Sequence, residues 1–219
     1  MYIIIIGLGS VGSNLVDIAS KKKHNVAVID KNQERCREIA SKYDVLAIAG
    51  DATIKRILEE AGASRADALI TTTDDDAINL MTCLLAKDIG VKNIASVINN
   101  LEHSTMFNSA NITIIENPDI DVARHLYWAM ERPNVKDIVR LGNGKIEIFE
   151  MSVEDGSGAV DKDLSELKLG DGGLIVCIER KNKTLIPKGD TKILAGDRVT
   201  VIAQSDSAEK IINTFAGKK

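Results

Sequence analysis

The N-terminus of the chain joins a short apolar run to a glycine-rich segment, and this pairing constrains the fold more than any other feature. Residue 2 is Tyr, residues 3–6 are all Ile, and the GxGxxG segment that follows consists of Gly7, Leu8, Gly9, Ser10, Val11 and Gly12. In such a segment the first glycine permits a tight turn, the second lets a pyrophosphate approach the backbone, and the third lets helix and strand pack closely. Free amide groups at the start of the following helix then face the phosphates. The segment therefore predicts a strand, a phosphate-binding turn and a helix, in that order.

Apolar runs recur through the first 117 residues and predict the strands of a parallel sheet. The runs are rich in β-branched residues and lack polar alternation, as expected of strands buried on both faces. The predicted strands are Tyr2–Ile6, Asn25–Ile29, Val45–Ala49, Ala68–Thr72, Asn93–Ile98 and Ile112–Ile115. Between them, apolar residues three and four positions apart predict helices, two of which end at Gly62 and Gly90. The fold class that follows is α/β, with a Rossmann-type doubly wound parallel sheet over residues 1–117.

The pattern changes after residue 117. Pro118 and Pro133 bracket a helix predicted at Asp119–Glu131, so residues 118–134 are predicted to form a crossover helix and linker. Residues 135–219 are predicted to form a small α+β domain. Its predicted strands are Asp137–Leu141, Lys145–Val153, Gly173–Glu179, Thr184–Ile186 and Arg198–Ala203, followed by a helix at Asp206–Phe215. A Gly-Asn-Gly sequence at 142–144 predicts a hairpin turn between the first two strands.

Composition and charge exclude several classes of protein. The hydrophobic fraction of 44% and the charged fraction of 27% are typical of a soluble globular protein. A net charge of −4 without a basic tail argues against a nucleic-acid partner. No stretch is long and apolar enough to span a bilayer, and the apolar start lacks the basic region of a signal peptide. Three widely spaced cysteines, without CxxC pairs, favour neither disulfides nor zinc and indicate a cytoplasmic location.

An acidic residue ends the second predicted strand. Asp30 lies eighteen positions after Gly12, with Lys31 directly beside it. A carboxylate at this place accepts hydrogen bonds from both hydroxyls of an adenosine ribose and repels a 2′-phosphate. The pattern therefore predicts an adenine dinucleotide, NAD or NADH in preference to NADP(H), although Asp30 can also simply begin the next turn.

Two polar clusters follow the third and fourth predicted strands, at the edge where open α/β sheets bind ligands. The first contains Asp51 and Ala52, and the second contains Thr72, Thr73 and Asp74. We expect the first cluster to line the adenine pocket and the second to lie near the ribose and pyrophosphate. Helix capping is the alternative, with Thr53, and Thr73 or Asp74, as N-cap residues. No metal site is predicted, because the acidic residues lack a ligand spacing.

Taken together, these segments resemble one family over essentially the whole chain. GLGSVG at 7–12, Asp30, GDAT at 50–53 and TTTDDDAIN at 71–79 occur in the order found in regulators of potassium conductance. The stretch KGDTKILAGDRVTVIA at 188–203 is similar to the C-terminal domain of that family. GxGxxG alone is unspecific, whereas the GDAT and TDDD elements are far more restrictive.

The resemblance implies a non-enzymatic, cytoplasmic regulatory subunit that binds a nucleotide and gates a Trk-type membrane potassium transporter. Such subunits form homodimers that assemble into a ring beneath the membrane protein. By position, Gly7–Gly12 would hold phosphates, Asp30 the ribose, Asp51 and Ala52 the adenine side, and Thr73 and Asp74 the rest of the nucleotide. The implied ligand is NAD or NADH, with ATP and ADP as alternatives.

Two positions depart from the family pattern. Many members have an arginine inside the glycine loop and another near the end of the fifth strand, where this chain has Ser10 and Ser96. Fewer cations weaken the case for a triphosphate.

Two other functions fit the N-terminal half of the sequence. An NAD-dependent dehydrogenase would have a similar cofactor domain, but it needs an acid–base group such as His, Lys or Tyr opposite the nicotinamide. The C-terminal domain has no histidine, and His103 and His125 are expected on helix surfaces. A free nucleotide or second-messenger sensor acting on another membrane protein is the remaining alternative.

The helix between Pro118 and Pro133 carries two of the few aromatic residues, Tyr127 and Trp128. Aromatic side chains suit interface cores, so a contact with a partner subunit is predicted here. A contact within the chain is the alternative.

Overall fold

The computed structural model describes residues 1–116, 118–142, 144–167 and 169–217, with only the backbone at 114–116. The chain divides into two compact units, Met1–Asp121 and Val122–Lys219. The boundary falls inside one helix, α6, at Pro118–Glu131.

The first unit alternates strands and helices. Its strands are β1 (Tyr2–Ile6), β2 (Asn25–Asp30), β3 (Leu46–Ala49), β4 (Ala68–Thr71), β5 (Asn93–Ile98) and β6 (Thr113–Glu116). Its helices are α1 (Ser10–Lys21), α2 (Gln33–Lys42), α3 (Lys55–Glu60), α4 (Asp76–Ile89) and α5 (Ser104–Ser109), with 3₁₀ turns at Ala63–Arg65 and Leu101–His103. Observed and predicted strand boundaries differ by at most one residue, and Gly62 and Gly90 end helices as predicted, both with positive φ.

The strands form a six-stranded parallel sheet in the order β3-β2-β1-β4-β5-β6. Successive residues of β1 enter different cores, because side chains alternate across a strand. Ile4 and Ile6 pack in a cluster with Leu69, whereas Ile5 packs on the opposite face with Val28. Both faces of the sheet are therefore buried, which explains why the strands lack polar alternation.

The order of the strands reverses at β1. The chain runs outward from β1 to β2 and β3, then returns to place β4 on the other side of β1. A crevice forms at the carboxyl ends of strands at such a switch point, and this is where open α/β sheets bind ligands. The doubly wound fold predicted for this part of the chain is confirmed.

The second unit contains an antiparallel sheet of order β10-β9-β11-β8-β7. Its strands are β7 (Val135–Leu141), β8 (Ile146–Ser152), β9 (Gly173–Arg180), β10 (Lys183–Leu185) and β11 (Arg198–Gln204), and a final helix α7 spans Ser205–Phe215. The core lies between one face of the sheet and α7, with Phe149 and Phe215 fully buried. Gly142 and Gly144 of the predicted turn have positive φ, while Asn143 lies outside the described residues.

Trp128 and Tyr127 have different environments on α6. Trp128 packs against the core of the second unit, with the Arg140 guanidinium 4.8 Å from the centre of its ring. Tyr127 is exposed, and its hydroxyl lies 3.4 Å from a Glu131 carboxylate oxygen. Trp128 thus makes the within-chain contact that was the alternative, while the contact with a partner subunit stays a prediction for this helix.

Candidate nucleotide-binding site

The three glycines of the loop after β1 have three different surroundings. Gly7 has a φ of +90°, and its N–H donates to the Ile29 carbonyl at 2.9 Å. A Cβ at Gly12 would lie 1.9 Å from the Gly7 carbonyl oxygen, so only glycine lets α1 pack this closely on the loop. A Cβ at Gly9 would meet nothing within 4 Å. The loop therefore has one strained turn, one close contact and one open position, matching the three roles of a pyrophosphate-binding loop.

Asp30 is tied to the glycine loop from the end of β2. One carboxylate oxygen accepts from the Leu8 N–H at 2.6 Å, and the other accepts from the Asn32 N–H at 2.7 Å. Each ionised carboxylate oxygen has more than one acceptor position, so both oxygens can also accept from a ribose hydroxyl. Asp30 thus orients the loop in addition to presenting an acceptor, a role that spacing alone did not indicate.

The loop between β3 and α3 holds Asp51 through its own residues. One Asp51 oxygen accepts from the Thr53 N–H at 2.9 Å and from the Thr53 hydroxyl at 2.7 Å, and the other lies 3.1 Å from the Lys31 ammonium. The hydrogen bonds from Thr53, assisted by Lys31, hold the pKa of Asp51 below its usual value. Thr53 does not cap α3, because Ile54 occupies the N-cap position.

The loop between β4 and α4 packs directly on the glycine loop. The Thr72 hydroxyl lies 3.0 Å from both the Ile6 and the Gly7 carbonyl oxygens. Asp75 is the N-cap of α4 and accepts from the Ala77 and Ile78 N–H groups. The capping alternative for Thr73 or Asp74 is therefore wrong, because α4 begins later than an N-cap at either residue would require.

The three loops enclose a cavity of about 360 Å³. This volume lies within the usual range for small-molecule sites, about 300–1,000 Å³. Most of the predicted binding residues line it, namely Gly7, Gly9, Asp30, Lys31, Ala52, Thr72, Thr73 and Asp74. Residues separated by more than sixty positions meet here because the strand order places β4 beside β1.

The remaining predicted residues lie beside the cavity without lining it. Leu8 is buried in the core between α1, α2 and the sheet, Gly12 packs under the loop, and Asp51 is turned to Thr53 and Lys31. Ser10 is exposed at the start of α1, and Val11 is half-buried behind it. Of these five residues, Ser10 alone keeps an exposed polar side chain at the start of α1.

Several lining residues escaped the sequence analysis, and they are Ile6, Ile29, Arg35 and Ile78, whereas Gly50 belongs to the GDAT segment noted there. The apolar residues among them are the last positions of strands or the first turn of a helix. Arg35 lies in the first turn of α2, where its N–H is capped by Asn32 at 3.2 Å. The sequence signal that could have identified Arg35 was a cation shortly after Asp30, in the first turn of the next helix.

The charges around the cavity are unevenly distributed among the described residues that line it. The two cations, Lys31 and Arg35, lie on the β2 side, whereas Asp74 lies on the β4 side. The glycine loop between them offers only backbone amides. Ser96 is fully buried in the sheet and accepts from the Thr71 hydroxyl at 2.7 Å, so it does not reach the cavity.

Asp76, in the first turn of α4, ties the end of β5 to the same edge of the sheet. Its carboxylate accepts from the Asn99 and Asn100 N–H groups and lies 2.8 Å from His103 Nδ1. Burial alone would raise the pKa of Asp76, but these hydrogen bonds outweigh it and hold the pKa below its usual value. His103 thus has a structural partner and does not line the cavity.

Comparison with known proteins shows the family. The TrkA-N domain matches residues 3–118 and the TrkA-C domain matches residues 148–216. The Trk system potassium uptake protein TrkA homolog of Methanothermobacter thermautotrophicus is 30% identical over 217 residues, covering 99% of this chain and 100% of that protein. The chain belongs to the TrkA family. The resemblance to regulators of potassium conductance is confirmed, and the chain is a TrkA regulatory domain pair of potassium transport.

Other TrkA relatives differ in length. The homolog of Pyrococcus abyssi is 30% identical over 226 residues and is covered to 99% of its length. The homolog of Archaeoglobus fulgidus is 31% identical over 219 residues, and this chain spans 50% of it. TrkA sequences thus occur both at this length and at about twice this length.

Solved structures with the same fold include nucleotide complexes. The GsuK channel bound to NAD superposes with a TM-score of 0.66 at 14% identity, over 100% of this chain and 40% of that one. The Shewanella denitrificans Kef C-terminal domain in its AMP-bound form gives a TM-score of 0.51 at 21% identity, over 60% of this chain and 81% of that one. In the described part of this chain, no helix has the length and hydropathy to cross a membrane.

Proposed function

We propose that this TrkA-family chain binds NAD or NADH in the cavity at the ends of β1, β2 and β4, and thereby regulates a Trk-type membrane potassium transporter. The observation that carries the proposal is the glycine loop, whose open position at Gly9 faces the N-terminus of α1 while Asp30 holds the loop from β2. Amide groups at the start of a helix favour a pyrophosphate.

The distribution of charge favours a dinucleotide over a triphosphate. A triphosphate brings more negative charge to the glycine loop, yet residues 7–12 contain no cation, and the lining cations Lys31 and Arg35 both follow β2. Asp74, on the β4 side, would repel a terminal phosphate. The second mononucleotide half of a doubly wound sheet lies on that side and receives the nicotinamide nucleoside. ADP and ATP remain the competing ligands for the binding experiment.

Family membership supports a proposal about the partner and the assembly. We propose that the chain acts in the cytoplasm as a homodimer within a larger ring, and that nucleotide binding changes its interaction with the membrane subunit. A TrkA homolog of equal length and 30% identity supports the potassium assignment. Co-expression with a Trk-type membrane subunit should give a complex whose stability depends on NAD(H). Binding of nucleotide without any association would favour a free sensor.

Isothermal titration calorimetry with NAD, NADH, AMP, ADP and ATP tests the binding proposal directly. We expect NAD or NADH to bind most tightly, and Asp30→Asn to weaken that binding at least tenfold, a loss of about 1.4 kcal/mol. The substitution removes the charge that faces the ribose and turns an amide toward the loop. Asp67→Asn is the matched control, because Asp67 accepts from the Tyr2 N–H at 2.7 Å at the opposite end of β1. Equal affinity in wild type and Asp30→Asn would refute the ribose assignment.

A dehydrogenase is the second candidate, and the lining of the cavity argues against it. Among the described lining residues there is no His or Tyr, and the single Lys is paired with Asp51. Hydride transfer to a carbonyl needs an acid–base group near the nicotinamide. We expect no steady oxidation of NADH with simple carbonyl compounds, and sustained turnover would replace the regulatory proposal.

A further inference from the structure

One polar side chain of α4 is fully buried directly beneath the candidate site. Asn79 has no exposed surface and does not line the cavity. Its amide nitrogen donates to the Thr73 carbonyl at 2.9 Å and to the Val97 carbonyl at 3.2 Å. Its oxygen accepts from the Thr73 N–H at 3.2 Å and from the Thr73 hydroxyl at 2.7 Å. Both donors and both acceptor positions of the amide are thus in use.

Three of these four hydrogen bonds join Asn79 to Thr73, which donates two of them and accepts one. The Asn79 amide pairs with both the N–H and the carbonyl of Thr73, as a neighbouring strand would. A buried amide without partners is destabilising, so a substitution that removes either side of this pairing disfavours the present loop conformation. Asn79 therefore holds Thr73 just after the end of β4; Asn99 donates to the same Thr73 carbonyl at 3.1 Å, whereas Asn79 alone accepts from the Thr73 N–H.

The position of Thr73 matters because the residue touches the glycine loop. A Cβ at Gly7 would lie 3.1 Å from Thr73 Cγ2 and 3.2 Å from the Thr73 nitrogen. Thr73 also lines the cavity. A shift of Thr73 would consequently move one wall of the cavity and remove the support of the turn at Gly7.

We propose that Asn79 is a positioning residue of the nucleotide site: it holds Thr73, and through Thr73 the glycine loop, in the geometry that receives the pyrophosphate and the second ribose. The proposal rests on the nucleotide-binding function proposed above. The bond to Val97 extends the same constraint to β5, so that the loop after β4 and the strand β5 are joined by a single buried amide.

Asn79→Asp separates positioning from general stability by its dependence on pH. The carboxyl keeps the acceptors for Thr73 but, when ionised, places a negative oxygen against the carbonyls of Thr73 and Val97. The two hydrogen bonds from Thr73 lower the pKa of this carboxyl, but its complete burial and the two facing carbonyl oxygens act in the opposite direction and raise the pKa above the ordinary value. As pH falls through that raised pKa, protonation restores one donor, so NAD affinity should recover toward the wild-type value.

Other titratable groups lie on the elements packed around this position, namely Asp74, Asp75, Asp76, Cys83 and His103. All are present in wild type, so the ratio of the variant and wild-type affinities removes their contribution. Asp76 stays ionised from pH 8 to 5.5, because its pKa is held below the usual value. We expect NAD affinity at pH 8 to fall at least tenfold in Asn79→Asp and to recover at least fivefold by pH 5.5.

Two further variants isolate the cause. Cys83→Ala lies one turn along the same helix, is fully buried, and makes no bond to Thr73. It should lower the melting temperature and leave NAD affinity within twofold of wild type. Asn79→Leu has a similar volume without hydrogen bonds, so it should lose affinity at every pH without recovery. Asn79→Leu also tests the proposal if Asn79→Asp does not fold at pH 8.

The outcomes distinguish this proposal from the one on which it rests. If wild type binds none of the nucleotides, the proposed function fails. If wild type binds NAD and both Asn79 variants bind equally well, the positioning role is overturned while the function stands. A loss of NAD affinity in Cys83→Ala equal to that in Asn79→Asp would also overturn the positioning role. General destabilisation of α4 would then be enough to explain the weaker binding. Hydrogen exchange at the Thr73 amide tests the role without any ligand. The exchange rate in Asn79→Asp should exceed the wild-type rate at pH 8 and return toward the wild-type rate at pH 5.5.

Discussion

Gly9 and Gly12 lie three positions apart in the sequence, but only one of them is restricted by its surroundings. Gly12 has no room for a Cβ, because the Gly7 carbonyl oxygen would be 1.9 Å away. Gly9 has a φ of −69°, which any residue adopts, and open space beside it. Gly12 is thus required by the fold, whereas Gly9 can be replaced without strain in the ligand-free protein.

The pair makes a prediction at the residue scale. Gly12→Ala should lower the free energy of unfolding by about 3 kcal/mol, because a backbone contact this close forces α1 away from the loop. Gly9→Ala should change stability by less than about 0.5 kcal/mol but weaken NAD binding, since its methyl group projects into the space that the ligand needs. Thermal melts and calorimetry on both variants test this. A destabilised Gly9→Ala that still binds NAD normally would contradict the assignment.

At the scale of elements, a buried carboxylate joins three segments of the second unit. Glu147 on β8 has only 1% of its side chain exposed, and it accepts from Arg132, after α6, and Arg140, on β7. Arg140 also lies over the Trp128 ring. The end of α6 is therefore fixed to the β7–β8 hairpin through paired charges and one aromatic contact.

Removing one partner of a buried ion pair leaves the others uncompensated and costs about 3–5 kcal/mol. We therefore expect Glu147→Ala to destabilise the second unit by about 3 kcal/mol. Glu179→Ala is the control, because Glu179 pairs with Arg198 across β9 and β11 while both side chains are largely exposed. Exposed pairs contribute about 0–1 kcal/mol. Denaturant unfolding followed by Trp128 fluorescence measures both, and equal effects would exclude a special role for the buried carboxylate.

At the scale of the whole molecule, each unit has its own hydrophobic core. The described residues that line the candidate site all belong to the first unit, whereas the single tryptophan of the chain, Trp128, packs on the core of the second. A ligand that binds only the folded form of one unit stabilises that unit by mass action. The unfolding of the two units can thus be followed separately.

NAD at one hundred times its dissociation constant should stabilise the first unit by about 2.7 kcal/mol. In differential scanning calorimetry we expect the transition of the first unit to move upward. The transition followed by Trp128 fluorescence should move less. Equal shifts in both would show that the two units unfold as one cooperative body.

The sequence by itself determined the features that depend on local spacing. Buried strands, amphipathic helices and a glycine loop have periods that can be counted, and residues at the carboxyl ends of parallel strands must share one edge of the sheet. The alternation of elements, the position of Asp30 and the clustering of Thr72 and Thr73 at one edge all follow from such counting.

Only the tertiary structure decided which partner each polar side chain takes. Asp51 turned out to be held by Thr53 and Lys31, Arg35 to line the cavity, and Asn79 to be buried beneath Thr73. Their partners depend on strand order, which brings Thr72 to Ile6 across sixty-six positions. Burial, moreover, determines whether an amide must be paired. The glycine loop was therefore evident in the sequence, whereas the residues that hold it in place became identifiable only once β4 was known to lie beside β1.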